Sequence, residues 1–245
     1  MCNPLPFRTT PQQPPPFQNA GKCDYFVSPT GKDKDNSGTE LDSPFETLKC
    51  ACDPGCNKEL QTGEVICLLQ GVYDVFDTIY IKSAEMREKS LKIMSLGPDR
   101  SAVLDGNGQV PIFNSLQTNV QFLGIHFTNG KGTSGGAVYG ERSMVFENCL
   151  FSDNEATVHG GAVMGGRGLR FTGCEFRNNA AKFAGALRIN DIGNAVVEDC
   201  LFIGNSASGR GGGLVTQIEK PENTVEVKNT LFCFNESPMS QYLAM

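Results

Sequence analysis

The sequence predicts an all-β solenoid, a parallel β-helix of roughly six to seven coils, because one segment recurs along the second half of the chain. Related segments start at Phe122, Phe146, Phe171, Val197 and Val227, at spacings of 24, 25, 26 and 30 residues. Each holds a short apolar stretch and a turn position that is usually Asn, and the first four also hold a Gly-rich step, as in "FSDNEATVHGGAV". Helical solenoids have longer repeats, so this period favours short strands that stack coil on coil, ~4.8 Å apart.

Alignment of the repeats places similar residues in columns that are expected to stack along the coil axis. An aromatic column and, three residues later, a mostly Asn column comprise Phe127, Phe151, Phe176, Phe202 and Phe232, then Gly130, Asn154, Asn179, Asn205 and Asn235. The Phe column predicts a stacked interior. The Asn column predicts a turn ladder that is hydrogen-bonded along the stack, with ligand binding as the alternative. The Gly pair predicts a corner that needs positive φ or close backbone approach.

Further columns predict the rest of the interior. They are Ile125, Cys149, Cys174, Cys200 and Thr230, then Ala137, Ala162, Ala186 and Gly213, then Val138, Val163, Leu187 and Leu214. The three stacked cysteines are predicted to be small buried core residues, because a disulfide between adjacent coils would be strained.

The chain divides into three segments by composition. Residues 1–22 are rich in Pro and Gln and lack the apolar stretch of a signal peptide, which predicts a disordered leader. Residues 23–63 are predicted to form an N-terminal cap with a Cys-rich segment, in which Tyr25–Val27 is a strand. Ser43 is the expected N-cap of a short helix from Pro44 to about Ala51 that plugs the open end of the coil. Residues 64–245 are predicted to form the β-helix itself.

Ten cysteines are many for a cytosolic chain, and five of them cluster between residues 23 and 67: Cys23, Cys50, Cys52, Cys56 and Cys67. The segment "CACDPGC" lacks the paired Cys-x2-Cys blocks of a zinc site, so disulfides in an oxidising compartment are favoured over a metal or free thiols. This predicts an extracellular or cell-surface location. A net charge of −6 without a basic run argues against nucleic acid as a partner, and no apolar run predicts a transmembrane segment.

The stretch "YFVSPTGKDKDNSGT", with the later "DSPFETL" and "LLQGVYD", resembles the start of right-handed parallel β-helix proteins of the pectate-lyase-like superfamily. The Phe-x-x-Asn units with "GGAV" resemble the repeats of polymorphic outer membrane proteins. The resemblance implies a right-handed helix and a surface role. Those surface proteins carry a C-terminal translocator that this sequence lacks, and no cap follows the last repeat. We therefore expect a fragment, or a partner or second copy that covers the last coil end to end.

Many β-helix relatives cleave acidic polysaccharides, and the resemblance implies a weak catalytic candidate set of His159, Arg188 and Asp191. The Asp-Asp and Asn-Thr-Asp motifs of pectin hydrolases are absent. A lyase needs a base, usually with Ca²⁺, and the cations available on the last coils lie in different columns: Arg167, Arg170, Lys182, Arg188 and Arg210. His126 is predicted to face outward or line a turn.

No cofactor is predicted. Asp33 and Asp35 in "DKDNSG" mimic the start of a calcium loop, but Pro44 stands where the bidentate acid is required, so a polar turn is favoured.

These observations predict a secreted or cell-surface β-helix with a structural or adhesive role that binds a polysaccharide or a host or cell-surface glycan. The alternative is a carbohydrate-active enzyme, a lyase or glycoside hydrolase, that acts on acidic polysaccharide. An enzyme is expected to bring two or three acids, or an acid and a base, to one patch of neighbouring coils, whereas an adhesin is expected to show a flat polar or aromatic face.

Overall fold

The computed structural model describes residues 23–56, 60–81, 90–190, 193–218 and 220–238. The predicted leader and Asp191 lie outside these ranges. Within them the chain winds into a parallel β-helix, and every ladder between its named strands is parallel. The predicted solenoid is therefore confirmed.

Four sheets form the faces of this coil, and each coil contributes a strand to most of them. The eight-stranded sheet contains β1 Tyr25–Val27, β2 Val65–Leu69, β5 Ser90–Leu96, β8 Asn119–Leu123, β12 Met144–Glu147, β16 Arg170–Thr172, β20 Ala195–Glu198 and β24 Val225–Lys228. The seven-stranded sheet contains β3 Gly71–Asp74, β6 Ala102–Asp105, β9 Ile125–Thr128, β13 Leu150–Ser152, β17 Glu175–Arg177, β21 Leu201–Ile203 and β25 Leu231–Cys233.

The other two sheets close each coil. The four-stranded sheet contains β10 Lys131–Ser134, β14 Glu155–His159, β18 Ala180–Phe183 and β22 Ser206–Arg210. The six-stranded sheet contains β4 Ile79–Tyr80, β7 Phe113–Ser115, β11 Val138–Gly140, β15 Val163–Gly165, β19 Leu187–Ile189 and β23 Leu214–Thr216.

Phenylalanine rings stack through the middle of the coil as the repeat predicts. The rings of Phe127, Phe151, Phe176, Phe202 and Phe232 lie in one column, with successive centroids 5.0, 4.8, 4.4 and 4.7 Å apart. A second column, from Phe122 through Phe146 to Phe171, meets the first edge to face. Both geometries are favourable for aromatic pairs, so the rings fix coil register, and all of them fill the core except Phe232 at the last coil, which is 41% exposed.

The Asn column forms a continuous buried ladder at the turn after the seven-stranded sheet. Asn179 is fully buried, and its Nδ2 donates to Phe151 O at 3.0 Å and to Asn205 Oδ1 at 2.9 Å. Its Oδ1 accepts from the backbone N and the Nδ2 of Asn154, at 3.1 and 3.0 Å. Asn205 repeats this pattern with Asn235. The amides therefore satisfy buried backbone groups that the turn leaves unpaired.

The two positions of the Gly pair serve different purposes. The first lies in the left-handed region, as at Gly160 with φ +60, although Ala184 occupies the same place with φ 60. The second is required by space, because a Cβ at Gly161 would lie 2.0 Å from Gly185 O and 2.5 Å from Ala180 O. Only glycine allows the backbones of neighbouring coils to approach this closely at the corner.

The N-terminal helix is shorter than predicted, and its N-cap is not Ser43. The helix α1 comprises Leu48–Cys52, and the Thr47 side chain accepts a hydrogen bond from Cys50 N. Phe45 forms backbone hydrogen bonds with β1 and is fully buried. Pairing with a strand therefore overrides the local capping signal at Ser43 and holds this stretch extended until Thr47.

Four of the five N-terminal cysteines form disulfides, Cys23 with Cys67 and Cys50 with Cys56. The prediction was wrong for Cys52, which is free and points from α1 into the core. Burial raises the pKa of its thiol to about 12, so it remains protonated and unreactive at neutral pH.

The stacked Cys149, Cys174 and Cys200 are free and buried as predicted. Their thiols donate to backbone carbonyls, for example Cys174 to Phe146 O at 3.3 Å.

Candidate functional site

A surface groove of about 350 Å³ runs along the edge where the strands of the six-stranded sheet end. We call it the tyrosine groove, and it is lined by Leu116, Gln117, Tyr139, Gly140, Glu141, Arg142, Gly166, Arg167 and Asn190. Strands β7, β11, β15 and β19 are parallel and in register, with Ser115, Gly140, Gly165 and Ile189 as their last residues. The residues that follow are therefore gathered from four successive coils onto one surface.

The Tyr139 ring is the aromatic element of this groove. It belongs to the outward row of the six-stranded sheet, between Asn114 and Met164. Its hydroxyl donates to Glu141 Oε1 at 3.2 Å. Burial, with a further contribution from the Glu141 carboxylate, raises the pKa of Tyr139, so the phenol stays a neutral donor across the physiological range.

The polar groups of the tyrosine groove suit a ligand rich in hydroxyl groups. Gln117 and Asn190 supply amides that both donate and accept, and Arg142 and Arg167 supply guanidinium donors. Concave sites with an apolar surface and a few convergent polar groups are typical ligand sites. An aromatic ring with amides and guanidinium groups around it can pack on one face of a sugar and hydrogen bond to its edge.

Of the weak catalytic candidates, the structure describes His159 and Arg188, which lie on the four-stranded and the six-stranded sheet. Arg188 Nε donates to Asn190 Oδ1 at 3.2 Å, and its terminal NH2 donates to Gln217 Oε1. The His159 ring packs on Phe183, with centroids 5.4 Å apart. Burial, and next the positive charge of Arg188, lower the pKa of His159. Arg188 thus supports the Asn190 side of the tyrosine groove.

The cations considered as lyase bases are dispersed over three faces of the coil. Arg170 lies on the eight-stranded sheet, Lys182 and Arg210 lie on the four-stranded sheet, and Arg188 lies on the six-stranded sheet. Lys182 is placed over the Phe183 ring at 5.3 Å. Arg167 lines the tyrosine groove together with Asn190.

Asp33 has a structural partner set. Its Oδ1 accepts from Glu46 N and Thr47 N at 2.8 and 2.9 Å, and its Oδ2 accepts from the Thr47 hydroxyl. Asp35 adopts positive φ in the same turn. Over the ranges that the structure describes, no three His, Cys, Asp or Glu side chains are grouped as metal ligands.

A second groove, which the sequence analysis missed, follows the ends of the strands in the seven-stranded sheet. We call it the acidic groove; it has a volume of about 400 Å³ and is lined by Asp105, Asn107, Gly108, Asn129, Gly130, Lys131, Asp153 and Glu155. Asn129 Nδ2 donates to both Asp105 oxygens at 3.1 Å, and Lys131 pairs with Glu155 at 3.2 Å. The repeat alignment gives no signal for it, because the residues that line this groove differ from coil to coil.

Arg100, two residues before β6, links three coils together. Its guanidinium donates to Asn148 O at 3.2 Å, to Gly173 O at 3.3 Å and to Glu175 Oε2 at 2.9 Å. Glu175 is 8% exposed and also pairs with Arg177. The two guanidinium groups therefore compensate for the hydration that the Glu175 carboxylate loses on burial.

Replacing Arg100 by Ala is expected to reduce the free energy of unfolding by about 2–3 kcal/mol, because it leaves Glu175 and two turn carbonyls short of donors. Urea denaturation measures this loss. The matched control is Lys49→Ala, because the ion pair of Lys49 with Asp77 is largely exposed. This change is expected to alter the free energy of unfolding by less than about 0.5 kcal/mol. Equal effects of the two changes would contradict a clamping role for Arg100.

Comparison with known proteins supports the architecture. A family model described as "Right handed beta helix region" matches residues 99–232. No curated protein matches the chain. Among solved structures, a rhamnogalacturonan lyase is similar at 15% identity and a TM-score of 0.48, over 88% of this chain and 69% of that chain. A similarity at this level carries no argument about activity. The likeness to outer membrane protein repeats stays a prediction.

Among the described residues, no helix combines the length and the apolar character that crossing a bilayer requires.

Proposed function

The chain belongs to the family of right-handed β-helix regions, and from this premise we propose that it is an extracellular or cell-surface module that binds glycans in the tyrosine groove. The observation that carries the proposal is the gathering of Tyr139, two amides and two guanidinium groups from successive coils onto one edge. Tyr139 is hydrogen-bonded to Glu141 and Asn190 to Arg188 before a ligand arrives, which reduces the entropy cost of binding.

The extracellular location is supported by the two disulfides of the N-terminal segment. Disulfides form and persist in oxidising compartments and are rare in the cytosol. A stacked interior of Phe and Asn columns gives a stiff scaffold, which suits a module that presents a binding surface away from a cell.

Isothermal titration against a panel of neutral and acidic oligosaccharides tests the proposal. Replacing Tyr139 by Ala is expected to raise the dissociation constant at least about tenfold for any glycan that binds, because the ring supplies apolar surface in the groove.

The matched control is Tyr80→Ala. Tyr80 lies in the same outward row, in register with Asn114, but it does not line the groove. It is expected to change affinity less than twofold. An equal loss of affinity in both variants, or no binding of any glycan by the wild-type protein, would contradict the proposal.

A second candidate function, a carbohydrate-active enzyme, is favoured by the acidic groove. Asp105 and Asp153 line it from coils two steps apart, a backbone spacing of ~9.6 Å, which is close to the upper end of the carboxylate separations of inverting glycoside hydrolases. New reducing ends or double bonds on a polysaccharide panel, lost in Asp105→Asn and Asp153→Asn, would support it. Activity that is instead lost in His159→Ala or Arg188→Ala would move the reaction away from the acidic groove, to the four-stranded or the six-stranded sheet.

A further inference from the structure

A serine and a histidine meet on the outward face of the seven-stranded sheet, beside the acidic groove. His126 Nε2 lies 2.9 Å from Ser152 Oγ, and the Thr128 hydroxyl lies 3.1 Å from the same oxygen. Phe127 and Phe151 point into the stacked core, and the alternation along β9 and β13 places these three side chains on the opposite face, where Ser152 and Thr128 are each 8% exposed and His126 is half-buried. A hydroxyl within hydrogen-bond distance of an imidazole is the arrangement of an activated nucleophile and its base.

The surroundings of His126 favour the neutral ring that a base requires. Burial lowers the pKa of His126, and the positive charge of Arg100 lowers it further, while Asp153 and Asp105 act in the opposite direction. The net shift is downward, so at neutral pH one ring nitrogen is an unprotonated acceptor.

A cation stands next to the serine on the following coil. Arg177 is in register with Ser152, and its Nε is held by Glu175. This hydrogen bond holds the guanidinium toward Glu175, two residues earlier on β17. The terminal N–H groups of Arg177 are donors to which a negative oxygen that develops next to Ser152 can bind.

We propose that Ser152 and His126 form a catalytic pair that hydrolyses carboxylic esters, with the O-acyl groups of a glycan as the substrate class. Ser152 Oγ attacks the acyl carbonyl, and His126 Nε2 accepts the serine proton. The oxyanion forms beside Arg177, the C–O bond to the sugar breaks, and His126 returns the proton to the departing hydroxyl. Water then attacks the acyl-serine, His126 accepts its proton and gives it back to Ser152 Oγ, and the carboxylic acid leaves.

The ester chemistry depends only on Ser152, His126 and Arg177, whereas the assignment of a glycan as the acyl carrier rests on the proposed function. Small esters and serine-directed reagents therefore test the pair without any contribution from the tyrosine groove. If the protein binds no glycan, the result with a small ester still tests the Ser152 and His126 pair.

The test has two readouts on the full chain. The first is mass spectrometry of the peptide that contains Ser152 after incubation with a fluorophosphonate, and the second is hydrolysis of 4-nitrophenyl acetate. We expect a covalent adduct on Ser152 that is lost in Ser152→Ala, and a fall of at least about 100-fold in kcat/KM for Ser152→Ala and for His126→Gln. Acetate release from an O-acetylated polysaccharide is expected to follow the same pattern.

Ser206→Ala is the matched control, because it removes an exposed serine hydroxyl on the four-stranded sheet and is expected to retain the adduct and the activity. The activity of the wild-type protein is expected to fall only below about pH 6.5, since the pKa of His126 lies beneath its ordinary value. An unlabelled Ser152 together with hydrolysis no faster than that of Ser152→Ala would overturn the proposal. Thermal melting of each variant shows whether a loss of activity reflects unfolding. The variant Arg177→Lys is expected to remain folded and to hydrolyse the ester with a reduced kcat.

Discussion

Replacing Asn179 by Ala is expected to lower the free energy of unfolding by about 3–6 kcal/mol. The amide makes four hydrogen bonds in a fully buried ladder, and its removal leaves Asn154 N and Phe151 O without these partners. Each buried polar group left unpaired costs about 1–3 kcal/mol. A loss in this range is a large part of the stability of an ordinary domain.

Urea denaturation followed by circular dichroism measures the effect of Asn179→Ala. The neighbouring Asn178→Gly is the control, because Asn178 adopts φ 52 at the surface and the next coil carries Gly204 with φ 64 at the equivalent place. That change is expected to alter stability by less than about 1 kcal/mol. A similarly small effect of Asn179→Ala would mean that the Asn ladder does not stabilise the turn.

Replacing Gly161 by Ala is expected to prevent the corner from closing, with a loss above about 4 kcal/mol or no folded protein. The added Cβ would lie 2.0 Å from Gly185 O, 2.5 Å from Ala180 O and 2.7 Å from Ala180 N. All three are backbone atoms of the next coil, so no side-chain rotation relieves the clash. Moving that coil would break ladder hydrogen bonds on either side.

The yield of folded Gly161→Ala protein and its urea midpoint check this expectation. Gly55→Ala is the control, because its nearest contact would be the Asp53 carboxylate at 3.3 Å and its φ is not positive. That variant is expected to stay within about 0.5 kcal/mol of the wild-type protein. A Gly161→Ala protein with the wild-type midpoint would contradict the close approach of the coils at this corner.

The interior could be predicted from the sequence because a parallel coil stacks each residue on its equivalent. Phe151, Phe176 and Phe202 recur at one place in the repeat, and the register pairs them directly. The same reasoning located the Asn ladder. It failed at Ser43, where the local capping signal competes with the pairing of Phe45 to β1, a contact that the sequence does not reveal.

The grooves could not be predicted in the same way, because their residues do not repeat. Leu116, Glu141, Gly166 and Asn190 occupy equivalent places after successive strands, yet they share no chemistry. Ser152 and His126 lie on neighbouring coils but not opposite each other, since Ser152 pairs with Thr128 and His126 with Leu150. Column alignment highlights likeness, whereas a site is built from unlike residues that the register brings together.

Locating a bound glycan on the surface tests the central claim, a β-helix that presents the tyrosine groove, most directly. A photoreactive derivative of the tightest-binding oligosaccharide is crosslinked to the protein, and the modified peptides are identified by mass spectrometry. The account predicts saturable crosslinks to residues 116–117, 139–142 and 166–167, which unlabelled glycan prevents. Crosslinks confined to the four-stranded sheet or to the acidic groove, or crosslinks that do not saturate, would contradict it.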